Sequence, residues 1–381
     1  MKEGWKVVKI KDICDKASSN VAQKELGSHN GEYPIYGASG FIKNVDFYHH
    51  DKPYVGVIKD GSGVGRVNIY PAYSSLLGTL QYILPKDGFE IRFISYALQS
   101  LNLAKYSVGA AIPHIYFRDY GEHEIAVPDI SEQHRIVGIL DAAFEKIDAL
   151  KANAEKNLNN AKALFLQVLA KELEPKQGWE TKKLGDVVTA SNGLWKGKKP
   201  PFVNIAVIRN TNFSKDCQLR LDNVEYIDVE ERQFVSRKLD CGDIIIEKSG
   251  GSDKQPVGRP ILFDLKTEDN YSYSNFTSRL RVVDSEMVDA PYLHKALYNL
   301  YLQGATFALQ SHTTGIHNLD FKSYLELLVP IPSLSDQQRI VATLGALFAK
   351  CHQLEEVAQK TIAECDALKQ SILRQAFNGE L

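Results

Sequence analysis

The chain has 381 residues, of which 44% are hydrophobic and 24% charged, so it is long enough for two or three domains with sizeable cores. Its net charge is −2, from 45 basic and 47 acidic residues, so any nucleic-acid-binding surface must be local. The absence of a long apolar run or an N-terminal signal region, and the absence of a CxxC pair among its five cysteines, predict a cytoplasmic protein with reduced thiols.

Residues 1–130 alternate short β-like stretches with glycine-rich turns, which predicts a globular unit of mixed α and β structure. Two of these stretches, 54–58 and 80–84, are predicted strands. A helix is predicted near 91–103. Pro128 then ends the unit ahead of a much longer helical pattern.

A duplication is the strongest pattern in the chain. The segment 131–137, Ser-Glu-Gln-His-Arg-Ile-Val, recurs at 335–341 as Ser-Asp-Gln-Gln-Arg-Ile-Val, an offset of 204. Trp5 recurs as Trp179 at an offset of 174, so the second copy has about 30 more residues ahead of its helix. A duplication with similar ends and different middles predicts two variable globular units on a shared helical frame. This layout favours a reader of two targets over a single-site enzyme.

Each copy continues into a predicted helix of roughly 40 residues, or ~60 Å at 1.5 Å per residue. Ser131 and Ser335 are predicted to cap these helices, with Gln338 completing a capping box in the second. Apolar residues recur at alternating steps of four and three, which is a heptad pattern. The predicted core positions are Ile136, Leu140, Ala143, Ile147, Leu150, Ala154, Asn157, Ala161, Leu164 and Val168, and then Ile340, Leu344, Leu347, Cys351, Leu354, Ala358, Thr361, Cys365, Leu368 and Ile372.

A helix of this length with one apolar stripe needs a partner, and its own duplicate has the same pattern. Self-complementary packing with approximate two-fold symmetry predicts an antiparallel coiled coil. Leu150 and Leu354 are expected near the middle of its seam, and the polar residues Asn157 and Thr361 are expected to fix its register. A long helix bundle without a spacing role is the alternative.

The segment Glu-Pro-Lys-Gln-Gly at 174–178 breaks the first helix and begins a second globular unit. In it, 239–246 predicts a turn into a buried strand and 290–301 predicts a helix that matches 91–103. The predicted fold class is therefore α+β, with two mixed units in tandem duplication joined by two long helices that form an antiparallel coiled coil.

Catalytic motifs are incomplete or missing. The glycine-rich segment 61–65 lacks the Walker lysine and the spacing of a dinucleotide-binding loop, and no HExxH, GxSxG or Asn-Pro-Pro-aromatic motif occurs. Asp243 followed by Glu247-Lys248 is a poor match to a nuclease carboxylate set, because the residue between Glu and Lys is missing. The sequence therefore predicts no catalytic residue and no metal ligand.

Two basic glycine-rich loops take corresponding places in the two units. Glycines let backbone N–H groups approach phosphates, and Ser, Lys and Arg side chains add further phosphate contacts. Hairpins whose glycines serve only turn geometry are the alternative. The candidate DNA-binding residues are Lys59, Ser62 and Arg66 in the first loop and Lys248, Ser252 and Arg259 in the second.

The stretch 191–215 contains basic, aromatic and amide side chains but no acidic residue. Arginine pairs bidentately with guanine, and asparagine pairs with adenine, in the major groove. A solvated surface loop is the alternative. The candidates for DNA contact here are Trp195, Lys196, Lys198, Lys199, Arg209, Asn210 and Asn212.

A third group of candidates precedes each long helix. It comprises His114, Tyr116 and Arg118 in the first unit and His312, His317 and Asn318 in the second. His114 and Asn318 match under the offset of 204. Either could equally be a satisfied interior polar group.

The chain resembles the specificity subunit of type I restriction–modification enzymes. The resemblance rests on Gly4-Trp5 with Ile10-x-Asp12, on Val127-Pro128 leading into 131–137, on the duplicate at 335–341, and on the ending Gln-Ala-Phe-Asn-Gly-Glu-Leu at 375–381. It covers the whole chain, with specific motifs in the helical regions and a loose likeness in the globular ones.

The resemblance implies two target-recognition domains, 1–130 and 175–334, that each read one half of a split double-stranded DNA site. It implies that helices at 131–174 and 335–381 set the spacing and dock two modification subunits. S-adenosylmethionine, ATP and Mg would belong to the partner modification and restriction subunits, with no cofactor in this chain. The alternatives are a self-sufficient DNA methyltransferase or nuclease with a cryptic site in 179–334, and a coiled-coil scaffold protein.

Overall fold

The structure, a computed structural model, describes residues 4–109, 111–252, 255–313 and 316–381. It divides into two compact units, each with its own core. The first unit comprises Met1–Asn157 and Val357–Leu381, and the second comprises Leu158–Glu356. Each long helix therefore contributes one part to each unit.

The first unit contains nine strands and three short helices in its described part. Strands pair in the order β2-β8-β5-β6 in one sheet and β4-β3-β7 in another, and β1 pairs with β9. All pairs are antiparallel except β3 with β7. The elements are β1 Lys6–Lys9, α1 Ile10–Ile13, β2 Cys14–Ser18, β3 Tyr33–Gly37, β4 Gly40–Val45, β5 Tyr54–Ile58, β6 Val67–Tyr70, β7 Ser75–Leu76, β8 Leu80–Pro85, α2 Ile91–Ser100, α3 Phe117–Tyr120 and β9 Glu124–Val127.

The second unit repeats this topology and adds a third multi-stranded sheet. Its orders β11-β18-β14-β16, β13-β12-β17 and β10-β21 correspond to those of the first unit, and β15-β20-β19 is the addition. The remaining elements are α4 Ile130–Glu172, β10 Glu180–Lys183, α5 Leu184–Val187, β11 Val188–Asn192, β12 Phe202–Ile208, β13 Glu225–Glu230, α6 Glu231–Val235, β14 Asp243–Glu247, β15 Ser249–Gly251, β16 Pro260–Phe263, β17 Tyr271–Tyr273, β18 Thr277–Val282, α7 Ala290–Leu302, β19 Gln310–Thr313, β20 Ile316–Leu319, α8 Phe321–Leu325, β21 Leu328–Ile331 and α9 Leu334–Phe377.

The predicted strands and the two predicted mid-sized helices are confirmed. β5 and β14 are buried at every position, which explains the apolar run of β5 and the three consecutive isoleucines at the centre of β14. α2 and α7 each begin at an acidic residue: Glu90 accepts from the N–H of Phe93 at 2.6 Å, and Asp289 from that of Tyr292 at 3.1 Å. Each helix then packs its apolar face on its own unit's sheet.

The long helices begin one residue earlier than the sequence predicted, so the predicted caps are wrong. Asp129 Oδ1 accepts from the N–H of Glu132 at 3.0 Å, and Ser333 Oγ accepts from the N–H of Asp336 at 3.2 Å. Asp129 and Ser333 are the true caps because they precede the first helical turn. Ser131 and Ser335 lie inside that turn.

A buried glutamine ties the start of each long helix to its globular unit. Gln133 accepts from the N–H of Glu90 at 2.9 Å and donates to the carbonyl of the proline before the helix at 3.0 Å. Gln337 repeats both bonds, with the N–H of Asp289 at 2.8 Å and its own proline at 2.9 Å. In both units the glutamine joins the long helix to the cap of the helix that precedes it. The repeated sequence motif thus encodes a repeated contact.

The buried stripe of each long helix keeps a seven-residue repeat, but only one of the two predicted core positions in each heptad stays in it. Leu150 is 53% exposed and Leu354 is 47% exposed, so the prediction that they lie in the middle of a seam is wrong. Asn157 is exposed as well. Side chains that are buried or half-buried recur every seven residues along both helices, at Leu140, Ile147, Ala154, Ala161 and Val168 in α4 and at Leu344, Cys351, Ala358, Cys365 and Ile372 in α9. The second core position of each heptad is the residue after the predicted one, as at Phe144, Leu158 and Phe165 in α4.

Within each unit, α4 and α9 contact each other in antiparallel order. In the first unit Lys151 Nζ lies 2.6 Å from Asp366 Oδ1, and Lys369 Nζ lies 2.5 Å from Asp148 Oδ1. In the second unit the rings of Phe165 and Phe348 lie 5.3 Å apart, and Arg339 Nη1 lies 3.4 Å from Glu172 Oε2. In both units the residue numbers rise along one helix while they fall along the other.

Replacing Ala154, which is 7% exposed, with Asp is expected to lower the free energy of unfolding by about 3–5 kcal/mol, because it buries a charge without a partner. Leu150→Asp and Leu354→Asp are the controls. They lie on the exposed side of the helices and are expected to change the free energy by less than about 1 kcal/mol. Urea unfolding of the full chain, followed by circular dichroism, measures all three. Equal losses would contradict the assignment of the buried stripe.

Candidate nucleic-acid interface

The two basic loops have the same backbone frame. In the first unit the N–H of Ile58 donates to the carbonyl of Arg66 at 2.9 Å, and in the second the N–H of Glu247 donates to that of Arg259 at 3.0 Å. The N–H of the glycine before each arginine donates to the carbonyl of Ile58 in the first unit and to that of Glu247 in the second, at 2.8 Å in both. This glycine has a positive φ, 85° in the first unit and 102° in the second. This conformation favours glycine. The repetition shows that the loops are equivalent, with the exposed Ser62 at the tip of the first.

The arginines that close these loops differ in exposure. Arg259 is 5% exposed and donates from Nε and Nη2 to the carboxylate of Glu247, at 2.7 and 3.0 Å. Burial opposes the charge of Arg259, but the hydrogen bonds and charge of Glu247 more than offset it and raise the pKa of the guanidinium. Arg66 is exposed and donates to the carbonyl of Ala38 at 3.4 Å. Arg259 is therefore an interior residue, and the prediction that it contacts DNA is wrong.

In the first unit, two separate candidate stretches meet. Lys59 Nζ lies 2.6 Å from Asp60 Oδ2, and the imidazole of His114 contacts the other carboxylate oxygen of Asp60. The ring of Tyr116 lies 4.2 Å from that of His114, and the guanidinium of Arg118 lies 4.4 Å from the ring of Tyr116. The side chain of Arg118 is 75% exposed. The cluster contains two cations, an aromatic ring and an imidazole, with the carboxylate of Asp60 between Lys59 and His114.

The corresponding place in the second unit has different side chains. The N–H of Ile115 donates to the carbonyl of Lys59 at 3.0 Å, and that of Leu319 donates to the carbonyl of Lys248 at 2.8 Å. His114 and Asn318 precede these two donors, so the structure places them at equivalent positions. The match predicted from the offset of 204 is thus a structural equivalence.

Next to Lys248, two other candidates from distant parts of the sequence, Asn210 and Asn318, come together through Ser249. Ser249 Oγ donates to Asn318 Oδ1 at 2.6 Å, and Asn210 Nδ2 donates to the carbonyl of Ser249 at 2.5 Å. Lys248 Nζ donates to Asn192 Oδ1 at 2.6 Å, and burial lowers the pKa of this lysine. Asn192 was not predicted from the sequence. The cluster is neutral apart from the lysine.

Two further candidates near this cluster differ in exposure. His317 is buried, and its Nδ1 lies 3.3 Å from Gln310 Oε1, so its side chain does not face solvent. Ser252 is exposed and pairs through its backbone with Gln255. Only Ser252 remains accessible from outside.

The lysine-rich loop after β11 is held by an acidic residue that the sequence analysis missed. Trp195 is 67% exposed, and the side chains of Lys196, Lys198 and Lys199 are exposed too. The backbone N–H groups of Lys199 and Lys198 donate to the carboxylate of Glu230, and these bonds lower its pKa. The acid thus fixes the backbone while the lysine side chains face solvent.

The Arg209–Asn212 turn contains one accessible and one interior candidate. Asn212 is fully buried; its Oδ1 accepts from the N–H of Arg209 at 2.9 Å and its Nδ2 donates to the carbonyl of Arg220 at 3.0 Å. It shapes the turn and is corrected from a base-reading candidate to a structural residue. Arg209 pairs with Glu225, so any DNA contact must compete with that carboxylate.

A metal site and a membrane-spanning helix are both absent from the described ranges. No group of three or more His, Cys, Asp or Glu side chains is placed to hold a metal ion. No helix there is both long and apolar enough to cross a membrane.

Replacing Arg259 with Met is expected to lower the free energy of unfolding by about 3–5 kcal/mol, because the carboxylate of Glu247 is left buried without its cation. Arg66→Met is the matched control and is expected to change it by about 0.5 kcal/mol or less. The double variant Glu247→Leu/Arg259→Met should recover much of the loss, since it leaves no unpaired charge. Urea unfolding measures all three. A double variant as unstable as Arg259→Met would argue against this account.

Comparison with known families gives a match over most of the chain. The family described as "Type I restriction modification DNA specificity domain" matches residues 2–171 and 176–364. A solved structure reported under the complex assembly and conformational transition of the type I R-M system has a TM-score of 0.71 at 18% identity. It covers 100% of this chain and 99% of that chain, and it supports the fold.

Individual relatives are similar at lower identity. The type I restriction enzyme StySPI specificity subunit of Salmonella potsdam is 25% identical over 328 residues, which are 82% of this chain and 69% of that protein. The EcoDI specificity subunit of Escherichia coli is 23% identical over 99% of this chain and 88% of its own length. Together with the family match in both halves, these likenesses confirm the resemblance found in the repeated helical motif. The chain belongs to the type I restriction–modification DNA specificity family and contains its domain twice.

Proposed function

We propose that this chain is the DNA-specificity subunit of a type I restriction–modification complex and that each unit reads one half of a bipartite site. The observation that carries the proposal is one loop frame occurring twice with different side chains. Both frames contain a lysine at the same place, Lys59 or Lys248, but the first has His114 where the second has Asn318. Tyr116 and Arg118 stack beside His114 only in the first. A constant frame with different side chains suits the reading of two unrelated half-sites.

The chemistry of the complex is assigned to partner subunits. The sequence offers no complete catalytic motif, and relatives are named as specificity subunits of restriction enzymes. S-adenosylmethionine would bind to modification subunits, and ATP and Mg to restriction subunits. The contribution of this chain is sequence recognition. The alternatives, a self-sufficient DNA enzyme and a scaffold protein, have no observation in their favour.

The long helices are proposed to form an antiparallel coiled coil that sets the distance between half-sites. The ion pairs and ring contacts between α4 and α9 in each unit support this role. Leu150 and Leu354 are exposed at matching positions, as are Leu164 and Leu368. Exposed leucines repeated in this way suit two copies of one partner, and we assign them to the modification subunits.

Arg118→Ala and Lys198→Ala are expected to weaken DNA binding by similar factors for all sequences, because exposed cations make phosphate contacts. Each should reduce the salt slope of log K by about 1. Lys266→Ala is the control, since Lys266 is an exposed lysine that follows β16. The basic loop joins β14 to β16 at one end of this hairpin, and Lys266 lies beyond the other end. Fluorescence anisotropy with duplex DNA at several salt concentrations measures the slopes. Unchanged slopes in both variants would refute the proposed DNA face.

A second prediction concerns the spacer. Insertion of four residues after Asn157, together with four after Glu356, lengthens both helices where they pass from one unit to the other. Four residues add ~6 Å and about one helical turn, which corresponds to one or two base pairs at about 3.4 Å each. Methylated motifs mapped with the host's modification subunits should show a longer spacer and unchanged half-sites. Altered half-sites with an unchanged spacer would contradict the spacing role.

A further inference from the structure

A cavity of about 510 Å³ opens on the first unit and is lined by residues 20–23, 37–42 and 77–79. Its polar lining comes from Asn20, Gln23, Ser39 and Thr79. Phe41, which is 60% exposed, is the largest of its apolar lining residues. None of the lining residues has a charged side chain. The cavity therefore offers amides, hydroxyls and an aromatic ring, but no ionic partner.

The cavity is continuous with the candidate DNA-binding loop. Arg66 Nη2 donates to the carbonyl of Ala38 in the cavity wall at 3.4 Å. The N–H of Lys59 donates to the carbonyl of Thr79 in another part of the wall at 3.0 Å. A DNA duplex lying on Lys59 and Arg66 would therefore present its bases close to the mouth of the cavity.

The second unit places its Arg209-Asn210 turn where the first unit places the cavity wall. Tyr36 accepts at its carbonyl from the N–H of Leu77 at 2.8 Å, and Ile208 accepts from that of Ser274 at 2.9 Å. Tyr36 lies on β3, which pairs in parallel with β7, and Ile208 lies on β12, which pairs in parallel with β17. The turn at 37–41 and the turn that begins at Arg209 follow these residues directly and are equivalent. The cavity thus occupies the position of a base-reading candidate in the other unit.

The lining chemistry discriminates between base pairs. In the major groove, guanine is read by Arg or Lys, and the amino group of cytosine by Asp or Glu. Adenine pairs bidentately with the amide of Asn or Gln, and the methyl group of thymine contacts apolar side chains. Of these two sets the lining contains only the second, and the hydroxyls of Ser39 and Thr79 can bond either base pair. Arg66 lies outside it and donates to backbone carbonyls.

We propose that this cavity reads an A·T base pair in the half-site of the first unit. The amide of Asn20 or Gln23 pairs with the adenine, and Phe41 contacts the thymine methyl group. The inference rests on the proposed function, because it requires the first unit to read a DNA half-site. It adds the site, the residues and the class of base pair.

The full chain is assembled with the modification subunits of its own host. The methylated motif of the unaltered complex is mapped first. Asn20→Asp and Gln23→Glu keep the side-chain shape but remove the amide donor. At least one of them is expected to reduce the preference for A·T at one position of one half-site about tenfold to a hundredfold. The other half-site should stay unchanged. Asn44→Asp is the control, an exposed asparagine of β4 outside the cavity lining.

A second measurement does not depend on the folding of the amide variants. Deoxyuridine in place of the thymine at that position removes only the C5 methyl group. The unaltered complex is expected to bind the deoxyuridine duplex severalfold more weakly than the thymine duplex. A Phe41→Ser complex is expected to bind the two duplexes equally. Fluorescence anisotropy with the two duplexes measures both differences.

The outcomes separate the inference from the proposed function. If the unaltered complex yields no bipartite motif, the proposed function fails and this inference fails with it. If a motif is obtained but both amide variants keep it, or deoxyuridine affects both complexes equally, the inference alone is overturned. Loss of A·T preference confined to one half-site supports both.

Discussion

Burial of one apolar stripe along each long helix is the constraint on which the rest of the structure depends. Ile147 and Ala154 in α4, like Cys351 and Ala358 in α9, are buried at the seven-residue spacing of a coiled-coil seam. Since most of the stability of a helix in a protein comes from packing such a face, neither helix would persist alone over this length. Each globular unit lies directly before one of these helices in the sequence, so the helices determine where the units occur along the chain.

The globular units separate a constant backbone from variable side chains. The hydrogen bonds that close the basic loops recur in both units, yet Glu247 stands where the first unit has Ile58. In the second unit the loop is held by a buried ion pair, whereas Arg66 in the first is left at the surface. Interior residues can thus change between copies while the loop keeps its path. This is a physical basis for altering specificity without altering the fold.

Local patterns in the sequence predicted the duplication, the buried strands and the starts of the long helices to within one residue. The seam was right at Ala154 and Ala161 but wrong at Leu150, because steps of three and of four both stay on one helix face and the sequence pattern alone does not choose between them. Among the site residues, the burial of Arg259 depends on Glu247 across a loop, and the path of the lysine loop depends on Glu230, far along the chain. Such pairings arise only from tertiary structure, so no local pattern contains them.

The buried glutamines at the starts of the long helices affect how the molecule can move. Gln133 and Gln337 each join the cap of a globular helix, the preceding proline carbonyl and the long helix through hydrogen bonds shielded from water. Tilting a globular unit against its helix would break these bonds inside a low-dielectric interior, at about 1–3 kcal/mol for each group left unpaired. Each unit and the adjoining helix end should therefore move as one body, so a change in the angle between half-sites must come from bending of the helices themselves.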